Sequence, residues 1–237
     1  GFTQRICKKN MPLQKGYYST KLYPLQDIVL TAVGACNTDF YLTGGTALSR
    51  WYLHHRFSDD LDFFVNDAID FSDQVHRALE AIQRAGIEMD IAKRAEDFVR
   101  IQCRTSDVDL KIDFVNDIPY HSGTVQSFDL YPRVDGWWNI LSNKICALER
   151  REPKDIADIL FLCRAYSFAW EEVFHEAIQK TTYIDPLDIS VIVTEFPKDF
   201  LSRVQWIEEI SPDDAYREIQ IIAKDILQKN KNSLARA

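Results

Sequence analysis

Asp60 and Asp62 stand two residues apart in the stretch Arg56-Phe57-Ser58-Asp59-Asp60-Leu61-Asp62-Phe63-Phe64-Val65, the spacing of a strand. Side chains alternate between the two faces of a strand, so the carboxylates point one way while Leu61 and Phe63 point into a core. Like charges held side by side repel unless a cation lies between them. Hard carboxylate oxygens call for a hard cation, and magnesium, which also carries nucleotide phosphates, answers that description. Upstream, Gly44-Gly45-Thr46 follows the short apolar run Phe40-Tyr41-Leu42. Glycines in such a turn let backbone approach a phosphate with no side chain in the way. A glycine turn, a helix-length gap and a pair of acids together form a nucleotide-handling pattern.

Phosphoryl chemistry on two metals commonly needs a third carboxylate facing the first two. In Val108-Asp109-Leu110-Lys111-Ile112-Asp113-Phe114, alternation turns Val108, Leu110, Ile112 and Phe114 inward and leaves Asp109, Lys111 and Asp113 on the other face. Asp113 lies nearer the strand end and is the candidate to accept the proton of an attacking hydroxyl, or to position it through the metal. Lys111 is a candidate countercharge or phosphate contact. The alternative is an edge strand with a solvated polar face. A second concentration of charge runs from Lys144 to Asp158. Lys144 and Arg151 fall on one helical face, and Asp155 and Asp158 on one face of the next helix, near its N-terminus. A hairpin of the two helices could set Lys144 against triphosphate oxygens, with Asp155 orienting it or the nucleophile.

These residues need elements to hold them. Leu25, Ile28, Val29, Ala32, Val33 and Cys36 space a helix over residues 24–36. Short strands are expected at Phe40–Leu42 and Leu61–Val65, with a helix at Thr46–His55 between them. Phe71, Val75, Leu79 and Ile82 mark an amphipathic helix ending at Gly86. Period-two patterning from Ile87 to Val115 predicts a meander with a turn at Thr105-Ser106-Asp107. Beyond Pro132 the chain reads as helical: Trp137–Arg150, Pro153–Tyr166, Trp170–Lys180, Leu187–Glu195, Lys198–Ile207 and Pro212–Lys229. Gln228–Ala237 reads as a polar, frayed end. The expected domains are 1–132, α/β, and 133–237, helical.

The 237 residues are 46% hydrophobic and 27% charged, which places the chain among globular proteins with an ample core. No run of about 18 apolar residues occurs, so no membrane span is expected. The N-terminal stretch lacks the apolar segment of a secretory signal. Five widely spaced cysteines with no Cys-x-x-Cys pair suggest reduced thiols and a cytoplasmic protein. A net charge of −8 argues against non-specific nucleic-acid binding while leaving room for a local basic patch; Arg50, His54, His55, Arg56, Lys144, Arg150, Arg151 and Lys154 could supply one. Adjacent His54 and His55 point about 100° apart on a helix and read as surface or substrate contacts rather than metal ligands. Trp137 and Trp138 read as core or interface aromatics. P-loop and serine-hydrolase motifs do not occur.

Taken in order, Gly44-Gly45-Thr46-Ala47-Leu48, then Arg56 to Phe64, then Lys111-Ile112-Asp113-Phe114, then Lys144, Ala147, Leu148 and Arg151 with Lys154-Asp155 and Asp158 downstream resemble the AbiEii/AbiGii-type nucleotidyltransferases of the DNA polymerase β-like superfamily. The resemblance covers about residues 25 to 165. It implies an α+β fold, with a small mixed sheet flanked by helices followed by a helical C-terminal domain. It implies nucleotide contacts at Gly44, Gly45, Thr46 and Ser58, and magnesium, two ions, on Asp60, Asp62 and Asp113. Lys144 would bind the triphosphate and Asp155 would be a further essential polar residue. Lys154 stands where many relatives carry arginine. The expected activity is transfer of a nucleoside monophosphate from a nucleoside triphosphate to a hydroxyl of RNA (tRNA included), protein or a small molecule. The expected setting is a toxin paired with an antitoxin protein. The alternatives are a non-catalytic binding module on the same fold and a metal-dependent phosphodiesterase.

Overall fold

Alternating apolar and polar residues along two parallel strands build a sheet with one buried and one polar face. The computed structural model describes residues 15–235; the N-terminal stretch read for a secretory signal and Cys7 lie outside the described residues. Among these, β1 (Tyr41–Thr43), β2 (Leu61–Asn66), β3 (Met89–Ala95), β4 (Phe98–Arg104) and β5 (Asp109–Asp117) form one sheet in the order β1-β2-β5-β4-β3. Only the β2/β5 pairing is parallel, and β3, β4 and β5 are the expected antiparallel meander. The turn before β5 closes where the Thr105 N–H donates to the Val108 carbonyl at 2.9 Å and the Val108 N–H to Thr105 Oγ1 at 3.1 Å.

The chain divides into two compact units that do not follow chain order. The first holds the residues through Thr43, Asp59–Asp117 and Val125–Val134; the second holds Gly44–Ser58, Ile118–Thr124 and the chain from Asp135 onward. In the first, Leu61, Phe63, Val65, Leu110, Ile112 and Phe114 are buried on one sheet face. Phe63 stacks on Phe114 with centroids 5.4 Å apart, and Phe114 meets Phe40 at 5.0 Å. Helix α1 (Tyr23–Ala35), preceded by a π-helical turn (Tyr18–Leu22), and helix α3 (Phe71–Arg84) cover this face with Leu25, Val29, Val33, Phe71, Val75 and Ile82. The other face keeps its carboxylates.

In the second unit, a single turn α2 (Gly44–Ala47) continues as a π-helical stretch (Leu48–Leu53) that ends at His54 in the left-handed region. The helices that follow are α4 (Trp137–Ala147), α5 (Pro153–Ala165), α6 (Trp170–Ile178), α7 (Pro186–Thr194) and α8 (Pro212–Gln228). Proline at the first helical position starts α5, α7 and α8, and Asp185 and Ser211 cap the last two by accepting from the Leu187 and Asp214 N–H groups. Trp137 stacks on Tyr166 at 4.0 Å, an internal contact of this unit.

Two expectations need correction. The helix expected over 198–207 is a 3₁₀ segment, Lys198–Arg203, after which the chain extends. Its backbone pairs instead with residues 55–57: the Phe57 N–H donates to the Gln205 carbonyl and the Ile207 N–H to that of His55. The end of the chain is not frayed across its described part. Asn232 is buried and donates to the Cys163 and Tyr166 carbonyls at the end of α5, and Ser233 bonds to buried Asp225.

Phe63 sits where the sheet core is densest in rings. Phe63→Ala is expected to cost about 3–5 kcal/mol through the cavity it leaves. Urea titration should show a lower midpoint at unchanged slope; a loss under about 1 kcal/mol would mean the stack is dispensable.

Candidate active site

The register of the sheet decides which polar residues meet. Asp62 is the direct partner of Asp113 across the parallel β2/β5 pair, Thr43 is the partner of Asp62 on the other side, and Arg100 faces Asp113 from β4. Residues opposite one another in a sheet share a face. Asp60 immediately precedes β2 and lies two residues from Asp62, so the three expected acids occupy one face. Asp59 is tied down behind them: the Tyr18 hydroxyl donates to its carboxylate and the Gln26 amide to its carbonyl, at 3.2 Å in the latter case. That anchor on the N-terminal helix fixes the entry into β2.

Two basic side chains partly offset the three charges of the row. Arg100 donates Nε to Asp113 Oδ1 at 2.7 Å and Nη2 to Oδ2 at 2.8 Å, a two-pronged pair. That bond raises the guanidinium pKa. Lys111 Nζ lies 2.7 Å from Asp60 Oδ2, in the countercharge role its spacing suggested. Burial alone would lower the pKa of Lys111, and the bond to Asp60 overcomes it, leaving it raised. Among the described residues no three His, Cys, Asp or Glu side chains are grouped to hold a metal ion. The donor chemistry nevertheless fits a hard divalent cation at Asp60 and Asp62, while both oxygens of Asp113 are engaged by Arg100.

The helical unit carries the remaining candidates, built around a buried carboxylate. Asp158 on α5 is fully buried and accepts Arg56 Nε at 2.6 Å, Arg56 Nη2 at 2.8 Å and His55 Nε2 at 2.8 Å, with Lys144 Nζ 2.8 Å away. Lys144 on α4 also donates to Asp155 at 2.6 Å, and Arg150 reaches the second oxygen of Asp155 at 3.1 Å. Asp155 and Asp158 thus share a face, as their spacing predicts, and that face looks at Lys144. Arg151 does not extend the face of Lys144: α4 ends at Ala147, and Arg151 turns left-handed to pair with Glu195 at 3.3 Å.

Burial would raise the carboxyl of Asp158, but Arg56 and Lys144 outweigh it and hold the group well below the usual carboxylate range. Lys144 is pushed down by its burial and lifted by Asp158 and Asp155, with a net rise. The imidazole of His55 is lowered, chiefly by burial. An ionised Asp158 can only accept, so the His55 Nε2 carries the proton of the bond between them.

The glycine turn belongs to the same cluster. Gly44 has φ +70°, a conformation glycine adopts freely. At Gly45 a Cβ would stand 2.2 Å from Arg56 Nη2 and 3.3 Å from Ser58 Oγ, so the missing side chain makes room for the chain's own guanidinium. Thr46 Oγ1 donates to Ser58 Oγ at 2.8 Å, closing the segment on itself. Sequence reasoning missed Arg56, His55 and Asp158 as a unit, and read His55 as a surface or substrate contact, whereas it is buried. The available signal was the spacing of Asp155 and Asp158 on one helical face opposite a buried lysine. A cavity of about 830 Å³ opens beside His54, His55 and Phe161, and its Arg164 and Glu218 are already paired at 2.6 Å.

The family comparison assigns the class of protein, a nucleotidyltransferase. The model of the family described as nucleotidyl transferase AbiEii toxin, type IV toxin–antitoxin system, matches residues 29–214, and the chain belongs to this family. An uncharacterized protein of Aquifex aeolicus, aq_aa25, is 28% identical over 193 residues, covering 77% of this chain and 84% of that one. The fold is that of JHP933 from Helicobacter pylori, with a TM-score of 0.60, 22% identity and coverage of 90% of this chain and 93% of the other. A second solved H. pylori structure aligns with a TM-score of 0.59 and 22% identity over 87% of this chain and 93% of its own. No helix among the described residues is long and apolar enough to cross a membrane.

Asp158→Asn is expected to cost about 3–5 kcal/mol at neutral pH, since it leaves buried cations uncompensated. The depressed pKa fixes the sign of the pH dependence. Stability from the ionised Asp158 is complete above the unfolded-state value, about 3.9, and is lost as pH falls through the lower folded value. Unfolding free energy measured below about pH 4 should therefore fall steeply in the wild type and less so in the variant. Equal slopes would remove Asp158 from the acid response. Gly45→Ala should destabilise by about 1–3 kcal/mol, because Arg56 cannot withdraw without leaving Asp158; an unchanged melting temperature would show that the guanidinium moves freely.

Proposed function

We propose that the chain moves a nucleoside monophosphate from a nucleoside triphosphate to an acceptor hydroxyl, with magnesium held by Asp60, Asp62 and Asp113. The observation that carries this reading is the register that sets Asp62 opposite Asp113 with Asp60 on the same face. A pure binding module has no use for crowded like charges, which cost stability unless a cation answers them. When bound, magnesium would offset charge on the donor's phosphates. Asp113 takes the proton of the acceptor hydroxyl, whose oxygen bonds to the α-phosphorus. The bond from that phosphorus to the bridging oxygen breaks, and pyrophosphate leaves.

Gly44, Gly45, Thr46 and Ser58 are the proposed nucleotide contacts. Lys144 is the proposed triphosphate ligand, with Asp155 orienting it. Its pairing with two carboxylates supports a cation held ready; reaching a phosphate requires it to exchange one carboxylate for a phosphate oxygen. Family membership supports a toxin role and an antitoxin protein as partner; an RNA acceptor such as tRNA and a cytoplasmic setting complete the proposal.

Incubation with each labelled nucleoside triphosphate, magnesium, and total RNA and protein tests the reading. Label should pass to a macromolecule with the wild type and fall at least about a hundredfold with Asp60→Ala/Asp62→Ala, the scale of losing a principal electrostatic contribution. Nucleotide binding without transfer would favour a non-catalytic module. RNA cleavage without added nucleotide would favour a phosphodiesterase.

A further inference from the structure

We infer that Arg100 is a built-in cation of the acid row, standing where a second divalent ion would otherwise sit, so that the site takes one metal ion and not two. The inference rests on the proposed function and deepens it.

The charge count comes first. Asp60, Asp62 and Asp113 bring three negative charges to one face, and Lys111 and Arg100 bring two positive ones. One divalent ion overcompensates the remainder slightly. Two would leave three excess positive charges on a small patch, unless the basic side chains were expelled.

Geometry then separates the two basic residues. Arg100 faces Asp113 directly in the β4/β5 register and grips both of its oxygens. A carboxylate offers about four lone-pair positions. The fork takes one on each oxygen and leaves the others, with Asp62 the register partner of Asp113 on β2. The same guanidinium lies 5.3 Å from the centre of the Phe98 ring, and Lys93, the register partner of Arg100, lies over that ring at 5.4 Å. Arg100 is thus held from two sides, by a carboxylate and an aromatic face. A rigid, planar, permanently charged group suits a fixed charge better than a lysine does. Lys111 makes a single contact with Asp60 through a flexible stem and is the group a metal ion displaces.

On this account Arg100 positions Asp113 and supplies positive charge beside it, which in a two-metal site is the work of the second ion. The expectation of two ions drawn from the family resemblance becomes one.

Manganese, a spin probe for such sites, counts the ions. Electron paramagnetic resonance of free Mn²⁺ titrated with the full chain should report one bound ion for the wild type. Arg100→Gln should report two, because Asp113 regains both oxygens, and Arg100→Lys should also report two, because a flexible ammonium yields to a metal ion as Lys111 does. Circular dichroism checks that the variants are folded. Two ions on the wild type, none on it, or a single ion on Arg100→Gln would each overturn the inference. The labelled-nucleotide assay keeps the two failures apart. Transfer by a wild type that binds two ions leaves the proposed function standing and removes the role of Arg100; absence of transfer removes the function whatever the count.

Discussion

A carboxylate out of reach of water keeps its charge only if the protein supplies the positive partners, and Asp158 is such a group. Its neighbours are drawn from distant parts of the helical unit: Arg56 and His55 from the segment after the glycine turn, Lys144 from α4, and Asp158 itself from α5. Holding them together fixes where that segment runs. Arg56 cannot fork onto Asp158 unless its guanidinium passes under Gly45, and Gly45 can have no side chain there. The glycine, the arginine and the aspartate are therefore one device, and the turn owes its shape to a charge on another helix.

The sheet poses the same electrostatic problem differently. Alternation along β2 and β5 puts apolar side chains into the ring stack of Phe63, Phe114 and Phe40, and by the same geometry puts Asp62 and Asp113 opposite one another on the other face. The core and the acid row cannot be varied independently, since a slip of one residue in either strand would exchange them. Burial of the aromatic face thus maintains the register that the carboxylates need.

This coupling explains what was legible in the sequence. The strands around Asp60, Asp62 and Asp113, their shared face, and the countercharge role open to Lys111 all follow from period-two patterning, a local property. The glycine turn and the shared face of Asp155 and Asp158 were legible for the same reason. Arg100 and Arg56 were not, because each meets its carboxylate through strand order or helix packing, across 13 and 102 residues of chain. The 3₁₀ segment after Pro197 escaped for a related reason: residues 204–207 look helical alone, and pairing with residues 55–57 overrides that preference. The buried hold of Asn232 on the end of α5 likewise lies in a tract whose composition reads only as polar.

Burial also sorts the two charge clusters by what they can do. Asp155 and Asp158 have no exposed side-chain surface, and Arg56, itself buried, cannot leave Asp158 without opening the helical unit. The Arg56–Asp158 pair is a fixed part of the structure, because breaking a buried pair costs several times what an exposed one is worth. On the sheet, the side chains of Arg100 and Lys111 are 39% and 30% exposed. Water screens the single contact of Lys111 with Asp60, so exchanging a partner there is cheap, whereas the two-pronged grip of Arg100 on Asp113 is harder to displace. Carboxylates meant to trade partners during a reaction belong in the second environment, and those meant to hold a turn belong in the first. The distribution of acids between the sheet and α5 follows that rule. Under the proposed function, exchange of a cation falls to Asp60 on the sheet, while Asp158 holds the glycine turn through Arg56.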